Sequence, residues 1–503
     1  MHSKNIGLII GPVLFFLLLL IPSSEQLSQN AVYVLAIAAL MATWWITEAI
    51  PIPATAMLPI FLFPVLGVMN GSEVTQAYAH HLIYLFLGGF LVAVTIEKWN
   101  LHRRIALYTI LFFGVTPNRI ILGFMVSSAM LSMWISNTAA TMMMLTIGIA
   151  VLKQISDEIE HDKSLQIDTR PEHFRFGIAL MLGIAYAASI GGVSTLIGTP
   201  PNAVLAGIIE TQFQQSIGFL DWVIFALPLS IIMLVITWYF LTRFAYPSEL
   251  KQLPGSKAVL KQEMIELGAM SKEEKIVLLV FCSVALAWMT RGLVEIEQLK
   301  FIKDSTIAIG GALLLFIIPS NLKKREFLLD WQTALKIPWD ILILFGGGFA
   351  LAKGFSDSGL TQAIAIQLNV LQGSNLLLII AAVTLMVIVL TEITSNTATS
   401  SMILPIIAAL ALAINIHPYC LMFSVAIAAS FAFMLPVATP PNAIVFSSRY
   451  VTIRQMVKIG VWINLFGLIL ITLFINYYLP VVWGIDINTL PPEFTLAIEN
   501  SLN

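Results

Sequence analysis

Apolar runs of the length that crosses a bilayer as a helix, about 20 residues, recur from end to end of this chain, and short polar segments between them hold most of its charge. The pattern predicts eleven crossings, at about 6–21, 31–49, 53–69, 82–97, 177–207, 222–242, 275–290, 305–319, 339–356, 420–447 and 457–483. Two further apolar stretches, about 119–151 and 374–413, each carry a polar Ser-Asn-Thr in the middle. Non-helical backbone at membrane depth is tolerated where it is buried in protein or lines a watery cavity. Each stretch is therefore read as a re-entrant hairpin that enters and leaves by one side. The expected fold class is an all-α polytopic membrane protein: eleven transmembrane helices plus two re-entrant hairpins.

Charge tests that assignment. With the N-terminus in the cytoplasm, every one of the 26 Lys and Arg except Arg291, Lys300, Lys303 and Lys353 falls on the cytoplasmic side. Loops rich in Lys and Arg stay inside, so the bias supports both the orientation and the parity of the crossings. The tail, 486–503, has no Lys or Arg and falls outside. The polar stretch at about 243–274 is cytoplasmic and joins the two halves as a linker, having too few apolar residues for a core. The first apolar stretch follows Lys4 and is succeeded by Pro-Ser-Ser-Glu-Gln, which is no small-x-small cleavage site, so a retained span is expected rather than a signal peptide.

The halves repeat one another. Leu87-Gly88-Gly89-Phe90, Ser136-Asn137-Thr138 and Thr199-Pro200-Pro201-Asn202-Ala203 are matched by Gly346-Gly347-Gly348-Phe349, Ser395-Asn396-Thr397 and Thr439-Pro440-Pro441-Asn442-Ala443. The first two landmarks share an offset of 259 positions and the third has one of 240, the difference lying in the longer charged loop Lys153 to Arg175. Five crossings and one hairpin per copy is an odd count of crossings, so the two copies have inverted topology. Inverted repeats with interrupted helices at matching positions point to a secondary transporter with its site at the repeat interface.

Composition narrows the classes. Mean hydropathy is +0.90, 58% of residues are apolar and 11% charged, against about 25% charged in a soluble domain. A net charge of -2 offers no basic field for a polyanion. Cys282 and Cys420 lie in or beside apolar runs and read as buried small side chains. The histidines, at loops or span ends, are not expected to form a site, and no H-E-x-x-H, nucleophile elbow or P-loop occurs.

The chemistry concentrates at the duplicated landmarks. Hydroxyls, amide oxygens and freed backbone carbonyls suit a hard cation such as sodium, while Asn N–H and Thr O–H suit a carboxylate. Helix-to-helix hydrogen bonding would also use such residues, but does not explain the duplication. Paired prolines disfavour helix before them. Gly198-Thr199-Pro200-Pro201 and Ala438-Thr439-Pro440-Pro441 thus break their spans, freeing carbonyls and aiming a half-helix N-terminus inward. No Lys or Arg occupies a hairpin centre or a break. A bound anion would depend on cations there, since a sodium–carboxylate pair at about 4 Å gains about 4 kcal/mol at an effective dielectric of about 20, against about 1 kcal/mol for a neutral hydrogen bond.

Glu392 precedes the second triplet, and Met133 stands at its counterpart. The residue reads either as a functional carboxylate or as one bonded to backbone to orient the hairpin. Glu48 reads as a solvated helix terminus. The basic stretch Lys98–Arg104 reads as an interfacial helix or a charged loop.

These paired motifs, with Trp45-Ile46-Thr47-Glu48-Ala49-Ile50-Pro51 near the start, resemble the divalent anion:sodium symporter (DASS) family over most of the chain, from about Trp44 to Lys458. The resemblance implies an inner-membrane homodimer with an elevator mechanism. The scaffold would be 1–118 and 275–373, the transport domain 119–246 and 374–485, with a linker at 247–274 and a tail at 486–503. It implies one sodium site from Ser132, Ser136, Asn137 and the Gly198 carbonyl, and another from Thr391, Thr394, Asn396 and the Ala438 carbonyl. It implies substrate contacts from Asn137, Thr138, Thr199, Ser395, Asn396, Thr397 and Thr439. Ile135 stands opposite Thr394, so the two sodium sites differ. The function expected is sodium-coupled symport of C4-dicarboxylates (succinate, malate, fumarate) rather than enzyme catalysis. Citrate or sulfate symport, sodium-independent exchange and an ion channel are the alternatives.

Overall fold

A computed structural model describes residues 2–114, 116–161, 167–250, 255–291 and 301–494. The expected positions Lys163, Lys251 and Lys300, and the tail beyond 494, lie outside the described residues. Helices α1 (His2–Leu19), α2 (Gln29–Thr47), α3 (Ile52–Thr55), α4 (Leu58–Val65) and α5 (Gly71–Tyr78) come first. The first copy of the repeat continues with α6 (His81–Lys98), α7 (Leu101–Phe113), α8 (Pro117–Ser132), α9 (Asn137–His161), α10 (Arg175–Gly192), α11 (Pro200–Phe213) and α12 (Phe219–Phe240). Next come α13 (Ser256–Leu267), α14 (Lys272–Arg291), α15 (Asp304–Ile317), the two-stranded antiparallel β1 (Pro319–Asn321) and β2 (Glu326–Phe327), and α16 (Trp331–Ala334). The second copy has α17 (Trp339–Asp357), α18 (Leu360–Leu368), α19 (Leu376–Thr391), α20 (Asn396–Ala413), α21 (Pro418–Ala429), α22 (Pro440–Ser447), α23 (Ile453–Leu473) and a short α24 (Leu479–Trp483).

Helix ends repeat as the sequence landmarks do. The starts and ends of α8 recur in α19 at an offset of 259, as do the starts of α7 in α18 and of α9 in α20. Past the breaks the start of α11 recurs in α22 at 240. Both α12 and α23 end in a single π turn, Leu241–Ala245 and Phe474–Tyr478.

Eight helical stretches among the described residues are long and apolar enough to cross a membrane, including Arg175–Gly192, Phe219–Ala245 and Ile453–Trp483. Outer helices present apolar side chains such as Phe16, Ile231, Val389 and Trp462 outward. Helix α10 is apolar all round and buried on every face, as a central helix must be. The copies interlock: α11 packs on α17, α20 and α21, while α22 packs on α9 and α10. Close approach of α10 to α8 needs Gly191, where a Cβ would fall 2.3 Å from the Ala129 backbone.

Several expectations change. The run at 53–69 is two short helices, α3 and α4, with Pro53 and Pro59 in their first turns. The pair α7 and α18 was absent from the expected spans, being short and, for α7, introduced by basic residues. The stretch Lys98–Arg104 is not one plain loop, since a helix begins within it. It turns at Asn100 in the left-handed region and starts α7. Arg104 there is buried, donating from Nε and Nη2 to Glu274 at 2.8 and 3.1 Å and to the carbonyls of Leu267 and Gly268. A paired guanidinium of this kind is the form in which a charge tolerates burial. Cys282 is exposed rather than buried; Cys420 is buried. The central polar stretch contains α13, packed on α7 and α9.

Candidate functional site

The two triplets sit at helix breaks of one design. Ser132 ends α8 and Asn137 opens α9; Thr391 ends α19 and Asn396 opens α20. The prolines place the other two breaks. Thr199 and Thr439 adopt nearly the same extended backbone, φ −143°, ψ 141° and φ −142°, ψ 150°, and the Pro pairs occupy the first turns of α11 and α22. That is the position in a helix where a missing N–H costs nothing.

All four breaks meet at one cavity of about 390 Å³. Asn137 and Thr138 line it beside Gly198 and Thr199, and Ser395, Asn396 and Thr397 line it beside Ala438 and Thr439. Four helix N-termini, those of α9, α11, α20 and α22, therefore border the same space. Each presents the positive end of a helix dipole; at α9 and α20 the first-turn backbone N–H groups are available as well, whereas the proline pairs that open α11 and α22 have none to offer. Among the described residues no Lys or Arg lines the cavity, whereas Glu48 and Asp340 do. An anion here meets neutral donors and helix ends only, and two carboxylates besides.

Beside the cavity are two oxygen clusters. The Ser132 hydroxyl lies against both Asn137 Oδ1 and the Ala188 carbonyl. The Thr391 hydroxyl lies 2.6 Å from Asn396 Oδ1 and 2.7 Å from the Ala429 carbonyl. A hydroxyl has one proton and serves one acceptor with it, so in each cluster two acceptor oxygens share a single hydroxyl proton. A hard cation takes such a set of neutral oxygens. Near the first cluster, a Cβ on Gly192 would meet Asn137 Oδ1 at 2.8 Å and the Gly198 carbonyl at 3.0 Å, so these oxygens crowd together. Ser132 and Thr391 are fully buried behind the cavity wall; Ser136, Asn137, Gly198, Thr394, Asn396 and Ala438 reach it. Thr394 donates to the Leu390 carbonyl at 2.8 Å and shares a 2.5 Å hydrogen bond with Thr399.

The breaks are held by matching ties. Asn202 donates to the carbonyls of Val193 and Thr195, and Asn442 to those of Ala432 and Leu435. Thr199 Oγ1 lies 3.3 Å from Ser430 Oγ of the other copy.

Residues 2–485 match the sodium:sulfate symporter transmembrane region. The chain belongs to that family. It is 46% identical over 96% of its length to the sodium-dependent dicarboxylate transporter SdcS of Staphylococcus saprophyticus, covering 93% of that protein. It is 47% identical over 97% of its length to SdcS of Staphylococcus aureus (strain NCTC 8325), again covering 93%. Among solved structures, MtrF of Neisseria gonorrhoeae superposes with a TM-score of 0.54 at 12% identity, over 81% of this chain and 83% of that one. The YdaH transporter of Alcanivorax borkumensis gives 0.53 at 11%, over 90% and 99%. These two likenesses concern the fold alone. A member of the sodium:sulfate symporter family with this many apolar helices is a multi-pass membrane protein.

Within this family member, Glu392 is a backbone-bonded carboxylate. It accepts from the amides of Phe433 (2.7 Å), Met434 (3.0 and 3.1 Å) and Leu435 (3.1 Å), and from Asn464 Nδ2 (2.7 Å). It thereby fixes the non-helical segment between α21 and α22. In the first copy the Met133 carbonyl makes the corresponding tie, accepting from the Thr195 hydroxyl at 2.6 Å. Sequence reasoning missed Glu48 and Asp340 as cavity residues. Glu48 is a helix terminus as expected, paired with Lys4 at 3.3 Å, but a further hollow lined by both carboxylates and Lys4 adjoins the cavity. His80 and His81, which the sequence did not lead us to place in a site, meet Glu210, 129 positions beyond His81.

Proposed function

We propose that this chain is a sodium-coupled symporter of C4-dicarboxylates, with succinate, malate and fumarate as the substrate class. The observation that carries the proposal is a cavity that no Lys or Arg lines among the described residues, between two clusters of neutral oxygens. A dianion beside Glu48 and Asp340 is held only if cations enter with it, because each sodium–carboxylate pair at about 4 Å contributes about 4 kcal/mol before desolvation. The SdcS relatives, named as sodium-dependent dicarboxylate transporters, support the choice of cation and cargo.

One sodium would be held by Ser132, Ser136, Asn137 and the Gly198 carbonyl, the other by Thr391, Thr394, Asn396 and the Ala438 carbonyl. The two carboxylates would meet Asn137, Thr138 and Thr199 on one side, and Ser395, Asn396, Thr397 and Thr439 on the other. The chain would form eleven transmembrane helices and two re-entrant hairpins (119–151 and 374–413) in two inverted copies, as a homodimer in the inner membrane. The N-terminus would be cytoplasmic and the C-terminus periplasmic. The scaffold (1–118 and 275–373) would stay fixed while the transport domain (119–246 and 374–485) carries the cavity across as an elevator, the linker at 247–274 joining the halves. With the Lys4 and Glu48 side in the cytoplasm, the cavity described above faces inward.

The test is uptake of labelled succinate into proteoliposomes with and without a sodium gradient, with citrate and sulfate as competitors. Uptake driven by sodium and blocked by malate and fumarate is expected. Uptake indifferent to sodium would overturn the coupling, and stronger competition by sulfate would reassign the cargo in the direction of the family's name.

A further inference from the structure

Away from the cavity, Glu210 stands ten residues along α11 from Pro200, a rise of about 15 Å. Its carboxylate is shared by groups from two other elements. His81 Nε2 lies 2.7 Å from both carboxylate oxygens, His80 Nε2 lies 3.9 Å from Oε2, and Lys303 Nζ lies 3.2 Å from Oε1. The imidazoles of His80 and His81 are stacked, 4.7 Å between centroids and 28° between planes, so both present a nitrogen to the same carboxylate. The His80 ring also rests against Phe349. His81 Nδ1 is buried without a hydrogen-bond partner.

We infer that His80, His81 and Glu210 form a binding site for a divalent transition-metal ion of the zinc type, joining the start of α6 to the far end of α11. One nitrogen from each ring and one carboxylate oxygen all lie within 4.8 Å of one another. Four-coordinate zinc, with bonds of about 2.0–2.1 Å, holds neighbouring ligand atoms about 3.4 Å apart, so small side-chain shifts close the set. Two imidazoles and a carboxylate suit a borderline ion of this type and not sodium, magnesium or calcium, which take oxygen sets. Water completes the fourth position. Lys303 competes for the same carboxylate. Its side chain is half exposed, so it withdraws into solvent when the metal enters.

A metal here ties α6 to α11. Under the division proposed above, which this step rests on, α6 belongs to the scaffold and α11 to the transport domain. Bound metal therefore clamps one against the other and arrests transport.

The test uses untagged full-length protein. In detergent, the visible d–d absorption of bound cobalt and its displacement by zinc report the site directly. One ion per chain is expected. His80→Gln, His81→Gln and Glu210→Gln should each weaken binding by at least about tenfold, as loss of a ligand costs at least what loss of an outer-shell partner does. Lys303→Met should tighten it, which a purely structural ion pair does not predict. Binding unchanged in all three ligand variants, or no zinc binding at millimolar concentration, overturns the site. In proteoliposomes, zinc should inhibit succinate uptake by the wild type and not by Glu210→Gln. Zinc that binds but leaves uptake unchanged overturns the clamp. Failure of sodium-driven uptake without zinc overturns the transport reading, which the cobalt spectrum tells apart from failure of the metal site.

Discussion

Thr391 and Asn396 close the second triplet's helix break on themselves: the Thr391 hydroxyl lies 2.6 Å from Asn396 Oδ1, with the Ala429 carbonyl at 2.7 Å on the same hydroxyl. Ser132 repeats the arrangement with Asn137 and Ala188. In both copies one proton faces two acceptors, and a sodium ion at the proposed site would accept lone pairs from all three oxygens. Thr391→Val keeps the volume and removes the hydroxyl oxygen. A polar contact to a charged group contributes about 1.5–3 kcal/mol, so the sodium concentration for half-maximal succinate uptake should rise about tenfold or more. A sodium titration of uptake measures this, and an unshifted midpoint would remove Thr391 from the ion's surroundings.

The two asparagines carry a heavier load, since each borders the cavity and also lies against the buried hydroxyl. Asn137→Ala and Asn396→Ala should each abolish uptake while leaving folded protein in the membrane. Uptake assays beside size-exclusion profiles of the purified variants check the two halves of that statement. Normal transport by either variant would remove the ligand role from that residue.

Much of this site is legible in the sequence because it rests on local chemistry written twice. Ser-Asn-Thr at one offset, and a proline pair that cannot continue a helix, need no tertiary contact to be recognised. The helix ends then fall where the motifs predict, Ser132 and Asn137 recurring as Thr391 and Asn396. What stayed hidden depends on distant partners. Glu392 is explained by amides about forty positions away and by Asn464; His81 finds Glu210 across four intervening helices. The α7 and α18 pair was hidden for another reason. At 13 and 9 residues they are shorter than a crossing, and a length criterion passes over them although their starts share the 259 offset.

Glu392 offers a test of how the second break is held. Its two oxygens receive the amides of Phe433, Met434 and Leu435 and the side chain of Asn464. Glu392→Gln puts an NH2 group where one oxygen faced donors. Leaving buried N–H groups unpaired costs about 1–3 kcal/mol, so a lower Tm is expected, together with reduced uptake that higher sodium partly restores. Glu392→Met, which copies Met133 of the other repeat, should be worse. The second copy has Leu435 where Thr195 supplies the compensating hydroxyl in the first. Thermal unfolding of the purified variants ranks them, and equal stability of the wild type and Glu392→Met would show that the carboxylate holds nothing.

Ligand removal gives a prediction that needs no variant. An ion that binds the folded state alone stabilises it by about 2.7 kcal/mol at a hundred times its Kd. Tm should therefore be higher in sodium than in choline at equal ionic strength, and higher again when succinate is added with sodium. Succinate added in choline should leave Tm unchanged, because among the described residues no Lys or Arg lines the cavity to hold it. A rise with succinate alone would contradict the dependence of cargo on cation.

Gly198 shows that the two copies cannot be interchanged. Its counterpart is Ala438, yet a Cβ on Gly198 would fall 2.4 Å from the Gly192 carbonyl and 3.0 Å from that of Ser132, both backbone atoms that have no side-chain freedom to yield. The second copy has Ala432 where the first has Gly192, and its break accommodates the methyl of Ala438. Gly198→Ala must therefore push apart the carbonyls that border Asn137, and uptake should fall by at least about tenfold, the effect of roughly 1.4 kcal/mol on a binding step. Ala438→Gly removes a methyl from a site built around one and only loosens the unfolded chain, at a cost of about 0.4–1 kcal/mol, so uptake should remain close to normal. Opposite swaps at matched positions thus carry unequal predictions. If both variants transported equally well, the crowding at Gly198 would have no bearing on where the first ion sits.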